Sequence, residues 1–286
     1  ISGRLTMVPE ENKTQALWNL YARHPEMWLW TLAHKFVPFW LAPEDITDFF
    51  VIDFFGGAAH PTVKEYLEAP WHKESTAIGF HYGEGFLSGY ALAASQSLKL
   101  HPRPDHKNVA SYTRWLVHES DYAIVATHDG DDVFANVMSI SDGDGYDDST
   151  GVIYTYLPSL DATYEDLMKD DRVALTFSEE ALANGQSGGC ANSTAEDPPC
   201  GRVTISGRLT KVPEAGKAQA LQYLFARHPK MRGWQKAHAF EPFWLAPENI
   251  TDFFVINFYG GAEHPTVDGY LKAPWYKTNT DALHVV

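Results

Sequence analysis

The sequence predicts a mainly β protein of the α+β class, in which a small antiparallel barrel with flanking helices occurs as one complete copy and one half copy. Short apolar segments with strand character recur between 122 and 258, and turns rich in Asp, Gly and Ser separate them. A long stretch of the chain also occurs twice. Residues 1–73 align with 205–277 without a gap, and about 50 of these 73 positions are identical.

The elements of the complete copy follow one another along the chain. Apolar residues at helical spacing predict a helix over 107–119. A short helix is predicted over 161–170, with Asp161 or Thr163 as its N-cap, and an amphipathic helix over 214–228. About six strands are predicted, at 122–127, 133–140, 152–157, 172–178, 202–212 and 252–258. Few helices and short hairpin turns are typical of a small antiparallel barrel.

The first copy contains only the counterparts of the last long strand, the amphipathic helix and the final strand. That is half a barrel, and half a barrel leaves unpaired strand edges. The second copy follows roughly a hundred residues with a strand pattern of their own, and from this asymmetry we expect a piece of a longer two-domain protein. The predicted organisation is a partial domain over 1–73, a linker over 74–106, a complete domain over 107–277 and a tail over 278–286.

Composition argues against two classes of partner. The net charge of −15 would repel a phosphate backbone, so we expect no nucleic-acid partner. No run reaches the ~18–20 apolar residues that a membrane-spanning helix needs, so we expect no membrane span. A hydrophobic content of 44% is enough for a packed core and argues against a disordered chain.

The two cysteines indicate a cellular compartment. Cys190 and Cys200 are ten residues apart and enclose a polar loop that contains a glycosylation sequon at Asn192. Further sequons begin at Asn12 and Asn249. This combination favours an oxidising, glycosylating compartment, and two free thiols in a cytosolic protein are the alternative.

Several motifs in a fixed order resemble one known family. They are RWLVHESDYAIVAT, FANVMSISDG, YTYL, the cysteine-bounded loop, ISGRLTKV, RHPKM, NIT and INFYGG. Together they resemble the CREG family, the secreted cellular-repressor glycoproteins. The resemblance covers about 107–275 as a full domain and 1–73 as a partial one, and FVINFYGG and ARHPKM are its most diagnostic segments.

The resemblance implies an antiparallel FMN-binding split β-barrel related to pyridoxamine-phosphate oxidases. It also implies a homodimeric, N-glycosylated protein of the secretory and endolysosomal route, in which an inserted loop blocks the cleft where relatives hold FMN. Members of the family are not established enzymes. Cys190 and Cys200 match the family's paired cysteines, and Asn249 matches a glycosylation position that is Asp45 in the first copy. The tandem arrangement departs from the single-domain pattern and suggests a pseudo-dimer within the chain in place of the homodimer.

A flavin phosphate would be bound by cationic and hydroxyl side chains. The candidates in this chain are Arg114, Ser139, Ser141, Thr155 and Thr176. Only Arg114 is basic, and the acidic run over 142–148 would oppose a phosphate dianion. We therefore expect a vestigial or blocked cleft with no cofactor, and FMN binding is the alternative.

Other candidate sites have simpler interpretations. The acidic run over 142–148 resembles part of a calcium loop, but it lacks the ligand spacing and the terminal Glu of an EF-hand, which favours a solvated acidic turn. Histidines recur at equivalent positions of the two copies, where helix capping or packing is favoured over a metal site or pH sensing. These histidines are His24 and His228, His34 and His238, and His60 and His264. No nucleophile with a neighbouring base is recognisable, so no catalytic residue is assigned.

The sequence thus predicts a secreted or endolysosomal CREG-like glycoprotein without catalysis, which acts through contacts with a protein partner or receptor. The motif series, the cysteine loop, the sequons and the lack of a basic phosphate site support this hypothesis. An FMN-dependent oxidoreductase of the pyridoxamine-phosphate-oxidase-like class is the alternative. A storage or structural glycoprotein is a third hypothesis.

Overall fold

The computed structural model describes residues 1–25, 27–30, 36–52, 58–69, 100–185, 189–191, 193–236 and 238–276. The chain divides into two compact units, Ile1–Lys99 and Leu100–Val286. Most of the predicted linker and the whole predicted tail lie outside the described residues. Among the helices that the structure describes, none is long and apolar enough to cross a membrane.

The first unit contains short elements and little buried apolar surface. In chain order these are β1 (Ser2–Gly3), β2 (Thr6–Met7), α1 (Glu10–Arg23), α2 (Met27–Trp30), β3 (Phe39–Trp40), β4 (Ile46–Asp48) and α3 (Val63–Glu68). β1 pairs with β4 and β2 pairs with β3, both antiparallel, in two separate two-stranded sheets. Only Val8, Ala42 and Phe49 are buried apolar side chains among the described residues of this unit.

The second unit contains the long strands. Its elements are α4 (Val109–Glu119), β5 (Tyr122–Asp129), β6 (Asp132–Ser141), β7 (Ile153–Pro158), α5 (Ala162–Lys169), β8 (Arg172–Ser178), β9 (Arg202–Arg208), β10 (Thr210–Lys211), α6 (Glu214–Arg227), β11 (Phe240–Leu245), β12 (Ile250–Ile256) and α7 (Val267–Lys272). 3₁₀ segments occupy Glu179–Gly185, Pro229–Lys236 and Pro247–Asn249.

Eight strands of the second unit form one curled antiparallel sheet, which is the predicted split barrel. Their order is β10-β11-β7-β6-β5-β8-β9-β12. The hairpin between β5 and β6 turns at Gly130, whose φ of 64° is a conformation that favours glycine. The N-terminal half of the sheet (β5–β8) and the C-terminal half (β9–β12) join where β8 pairs with β9 and where β7 pairs with β11.

The core lies inside the curl of this sheet. Alternate residues of β5, β8 and β9 are buried, as a strand with one face on a core requires. Helix α4 packs Trp115 and Tyr112 into the same core, and every residue of that helix from Tyr112 to Glu119 is buried. Helix α6 covers the opposite face of β7, where Leu224 packs with Tyr154 and Tyr156.

Most of the predicted elements are confirmed, and their errors are local. Helix α4 and strand β8 lie where the sequence placed them, and Asp161 caps α5 by accepting the Thr163 N–H at 2.8 Å. The prediction of about six strands was wrong, because β11 was missed and 202–212 is two strands separated at Leu209. The backbone N–H of Leu209 leaves the ladder and donates to the Asp171 carbonyl while its side chain enters the core.

The predicted disulfide is present. Cys190 and Cys200 are bonded and close the loop between β8 and β9. Glu179, at the start of that loop, is fully buried and accepts from Arg103 Nε at 2.9 Å and from Tyr112 Oη at 2.9 Å. The loop is therefore attached at its base by a buried ion pair as well as by the covalent link.

Candidate functional site

Arg114 is engaged by the protein's own backbone. It lies on α4 and is 6% exposed. One terminal nitrogen donates to the carbonyls of Leu271 (2.9 Å) and Ala273 (2.8 Å), and the other donates to the Ser149 carbonyl (2.6 Å). The guanidinium therefore joins α4 to the end of α7 and to the loop before β7 through its terminal nitrogens, while its buried Nε has no hydrogen-bond partner among the described residues.

Three of the candidate hydroxyl residues are neighbours on β6 and β7. Thr155 donates from Oγ1 to the Ser139 carbonyl at 2.8 Å, and Ser141 donates from Oγ to the carbonyls of Gly143 (2.9 Å) and Tyr223 (3.0 Å). Thr155 and Ser141 are buried. The Ser139 side chain lines a cavity of about 300 Å³ beside the end of α6.

Thr176 lies apart from these residues. It is on β8, and its hydroxyl contacts that of Thr204 at 3.1 Å. Strand β5 separates β8 from β6, which places Thr176 about 10 Å from the backbone of β6. The structure thus brings Ser139, Ser141 and Thr155 together and leaves Arg114 and Thr176 elsewhere.

This arrangement does not fit a flavin phosphate. A phosphate dianion needs converging N–H and O–H donors, preferably with a guanidinium among them. Here the terminal nitrogens of Arg114 and the hydroxyls of Ser141 and Thr155 are directed at protein carbonyls, and the described residues give the five candidate side chains no common cradle. Their assignment to a flavin cleft stays a prediction from the sequence.

A buried polar cluster that the sequence did not predict lies close to Arg114. His118 and Asp142 are both fully buried, and His118 Nδ1 is 2.8 Å from Asp142 Oδ1. The other ring nitrogen of His118, Nε2, is 2.8 Å from the Tyr146 carbonyl oxygen. Arg227, at the end of α6, donates to the His118 carbonyl at 2.7 Å and lies 3.6 Å from the Asp142 carboxylate.

The acidic run is only partly the solvated turn that the sequence predicted. Asp144, Asp147 and Asp148 are exposed as expected, but for Asp142 the prediction was wrong. Asp142 accepts from His118 and lies beside Arg227, so its charge is compensated inside the protein. The turn also covers Arg227 with the Tyr146 ring, 3.9 Å from the guanidinium carbon.

Tyr146 is held by this cluster. Its hydroxyl donates to Asp121 at 2.8 Å, and burial and this hydrogen bond raise the pKa of the phenol to about 12. The phenol therefore stays protonated across the physiological pH range and acts as a donor. The cluster joins α4, the 142–151 loop and α6.

His228 has the packing role that was favoured for the repeated histidines. Its Nε2 lies 2.7 Å from the Ile140 carbonyl, and its backbone N–H caps α6 by donating to the Leu224 carbonyl at 2.7 Å. Burial lowers the pKa of the His228 imidazole below its usual 6.5. His34 lies outside the described residues, and His264 lies half exposed, 2.9 Å from Asp252.

The sequons differ in their accessibility. Asn12 is exposed in the first turn of α1. Asn249 is half-buried in the Pro247–Asn249 turn, and Thr251, the last residue of its sequon, is exposed. Asn192 lies outside the described residues.

Among the described residues, one surface of the barrel has no covering helix and no charged side chain at its centre. We define the outer face by two rows that follow the strand register across β6, β5, β8, β9 and β12. One row is Val137, Ile124, Thr176, Thr204 and Phe254, and the other is Ala135, Ala126, Ala174, Ser206 and Asp252, whose carboxylate lies 2.9 Å from His264 at the edge of the face. Ile124 is 40% exposed and Val137, directly opposite, is 62% exposed. Of the candidate flavin-binding residues, Thr176 lies on this face and Ser139 lies beside it, opposite Tyr122.

Comparison with known families decides where the chain belongs. The model of the CREG beta-barrel family matches residues 1–68 and 104–272, which is most of the chain. The chain is a member of the CREG family. Chicken (Gallus gallus) Protein CREG1 is 31% identical over 191 residues, which cover 65% of this chain and 95% of that protein. Human Protein CREG1 is 30% identical over 182 residues, which cover 61% of this chain and 79% of that protein.

Solved structures give more distant likenesses. A heme binding protein from Mycobacterium smegmatis is 16% identical with a TM-score of 0.45, and the match covers 60% of this chain and 62% of that one. A putative pyridoxamine 5'-phosphate oxidase from Listeria innocua is 12% identical with a TM-score of 0.36, over 52% of this chain and 98% of that one. At this level of similarity the cofactors in those names are not transferred to the CREG chain.

Replacement of Arg114 distinguishes a structural from a flavin-binding role. Arg114→Ala leaves three backbone carbonyls without their charged donor, and we expect a loss of about 3 kcal/mol in the free energy of unfolding. Urea unfolding measures this loss, and the exposed Arg232→Ala is the matched control. A folded Arg114→Ala protein of unchanged stability that has lost FMN binding present in the parent would contradict the structural role.

The lowered pKa of His228 predicts a pH dependence of stability. The unfolded chain binds this proton more readily than the folded one, so the folded state loses stability as pH falls through and below 6.5. We expect His228→Gln to lose less stability than the parent between pH 7 and pH 5, by at most about 1.4 kcal/mol per pH unit. Urea midpoints at the two pH values measure this, with His264→Gln as control. Equal losses in all three proteins would refute the assignment to His228.

Proposed function

We propose that this chain is a secreted or endolysosomal CREG-family glycoprotein without catalysis, which acts through protein contacts made by the outer face of its complete barrel. The observation that supports this proposal most directly is the exposure of Ile124 and Val137 on neighbouring strands. A partner that covers them removes apolar surface from water at no cost in buried charge.

The outer face has the size and chemistry of an interface centre. Five strands span about 19 Å, and six residues along a strand span about 20 Å. Its central rows consist of aliphatic, small and hydroxyl side chains, with Phe254 and Asp252 at the β12 end. Charged side chains, such as Arg172 and Arg208, lie at the strand ends and surround this centre as a polar rim does in known interfaces.

The engagement of the phosphate candidates supports the absence of catalysis. Arg114 donates to three carbonyls, and Ser141 and Thr155 donate to others, so a flavin would compete with bonds that hold the loops of the barrel. Flavin that stays bound through purification and turns over with a reductant would overturn this part of the proposal and favour an oxidoreductase.

A charge placed on the outer face tests the contact surface. Val137→Lys changes an exposed strand position, so we expect a stability change below about 1 kcal/mol. We also expect self-association, measured by sedimentation velocity, to weaken at least about tenfold, because a charge would be buried without a partner. The control is Leu160→Lys, since Leu160 is 76% exposed in the turn after β7 and lies away from the face. Equal self-association of all three proteins would rule out a homodimer through this face.

Glycosylation tests the proposed compartment. Protein secreted from a eukaryotic host should lose mass on treatment with a glycosidase, and Asn12→Gln and Asn249→Gln should each remove one glycan, because both residues are at least partly accessible. Asp45→Asn should add a glycan in the first copy, where it restores the sequon. Intact mass spectrometry measures all three. A secreted parent protein without glycans would contradict the proposal.

A further inference from the structure

The two copies keep the same apolar side chains but bury them differently. Every apolar side chain that is buried within 205–273 has an identical residue 204 positions earlier in the chain. Among the described positions at which the copies differ, Asn257 (Asp53 in the first copy) is buried in the second copy, and the others, such as Gln222 against Trp18 and Arg232 against Trp28, are not. The first copy thus preserves the set of side chains that faces the barrel core in the second.

In the first copy six of the thirteen counterparts are exposed, whereas Val8, Ala42 and Phe49 stay buried. Leu209 is 1% exposed whereas its counterpart Leu5 is 67% exposed, and Phe243 is 0% exposed whereas Phe39 is 57% exposed. The same holds for Leu224 and Leu20, at 0% and 38%. Part of the side-chain set that forms a core in the second unit therefore lies at the surface in the first.

Residues 100–201 cover this set in the second unit. β9 pairs with β8 and β11 pairs with β7. Leu224 and Met231 pack on Tyr154 and Tyr156 of β7. In the first unit, β1 and β3 pair on one side only among the described strands, so the edges that correspond to the β8 and β7 contacts have no strand partner there.

Polar groups at this surface are preserved as well. Arg227 donates to the His118 carbonyl and His228 lies 2.7 Å from the Ile140 carbonyl, and both acceptors belong to residues 100–201. Their counterparts in the first copy are Arg23 and His24. Two strand edges without a second strand partner among the described strands and an apolar surface are together complementary to a folded polypeptide half, and a lipid or a small apolar ligand would leave the edges unpaired.

We propose that residues 1–69 form a docking surface for a second N-terminal half-barrel, a polypeptide with the helix-and-strand pattern of residues 100–201. Its strands pair with the free edges of β1 and β3, and its apolar face covers Leu5, Leu20 and Phe39. Docking completes a second split barrel, and this inference is independent of the function proposed for the outer face.

A chimera tests the docking surface in the full chain. Residues 205–272 are replaced by a copy of residues 1–68, which is equally long and aligns without a gap. If the first copy can dock on residues 100–201, the chimera unfolds in one cooperative transition with a midpoint within about 10 °C of the parent. A chimera whose residues 100–201 show no cooperative transition overturns the proposal.

Two variants of the grafted segment serve as matched controls. Leu20→Asp places a charge at the position of the fully buried Leu224 and should abolish the transition of the chimera. Trp18→Gln restores the exposed residue found in the second copy and should leave the transition unchanged. A chimera that is insensitive to Leu20→Asp would show that the surface is not used for docking.

A second experiment tests docking on the first unit in place. A copy of residues 100–204 is fused ahead of Ile1, so that the junction reproduces the connection between residues 204 and 205. Amide hydrogen exchange in α1 should slow by about 100-fold or more, because the helix becomes part of a cooperative core. Unchanged exchange beneath a folded extension overturns the proposal. The proposal is also overturned if the parent protein is a dimer that Leu20→Asp dissociates. In that case the surface would be occupied by the same surface of a second copy of the chain.

Discussion

The pairing of β8 with β9 is the contact on which the complete barrel depends. It joins the N-terminal and C-terminal halves of the sheet along the whole of both strands, from Arg172 opposite Arg208 to Ser178 opposite Arg202. The loop that connects β8 to β9 is closed by the Cys190–Cys200 disulfide, and Glu179 at its start is held by a hydrogen bond from Arg103. Because β8 and β9 bring their alternate residues into one core, Leu175 and Ile205 become fully buried together.

The packing of the two halves of the sheet also explains why the candidate flavin-binding side chains do not converge on one site. A curled sheet with helices at its ends leaves many loop carbonyls that need donors, and unpaired buried carbonyls are costly. Arg114 and Arg227 supply those donors for the loop after β6, for α7 and for α4. In this CREG chain Arg114 and Arg227 thus stabilise the barrel.

The first unit shows how far burial depends on partners rather than on residue type. Leu5 and Leu209 have the same neighbours in sequence, yet one is largely exposed and the other belongs to a core. The difference is the presence of β7 and β8 beside the second copy. An apolar pattern specifies which face an element will bury, and the rest of the fold must supply what buries it.

Much of the architecture follows from the sequence by itself. Helical spacing located α4, an Asp at a helix start identified the cap of α5, and β-rich segments between turns located β5, β6, β8 and β9, because these signals are local and repeat with the period of the element. Strand β11 was missed because Pro242 lies within it, and a proline weakens the pattern of a strand. Only the tertiary structure placed Asp142 beside His118 and Arg227, which are 24 and 85 positions away in sequence. Only the tertiary structure, likewise, separated Thr176 from Ser139 and engaged Arg114 with carbonyls of distant loops. Local periodicity determines elements and faces, whereas the meeting of polar groups depends on chain contacts between distant residues that no local pattern records.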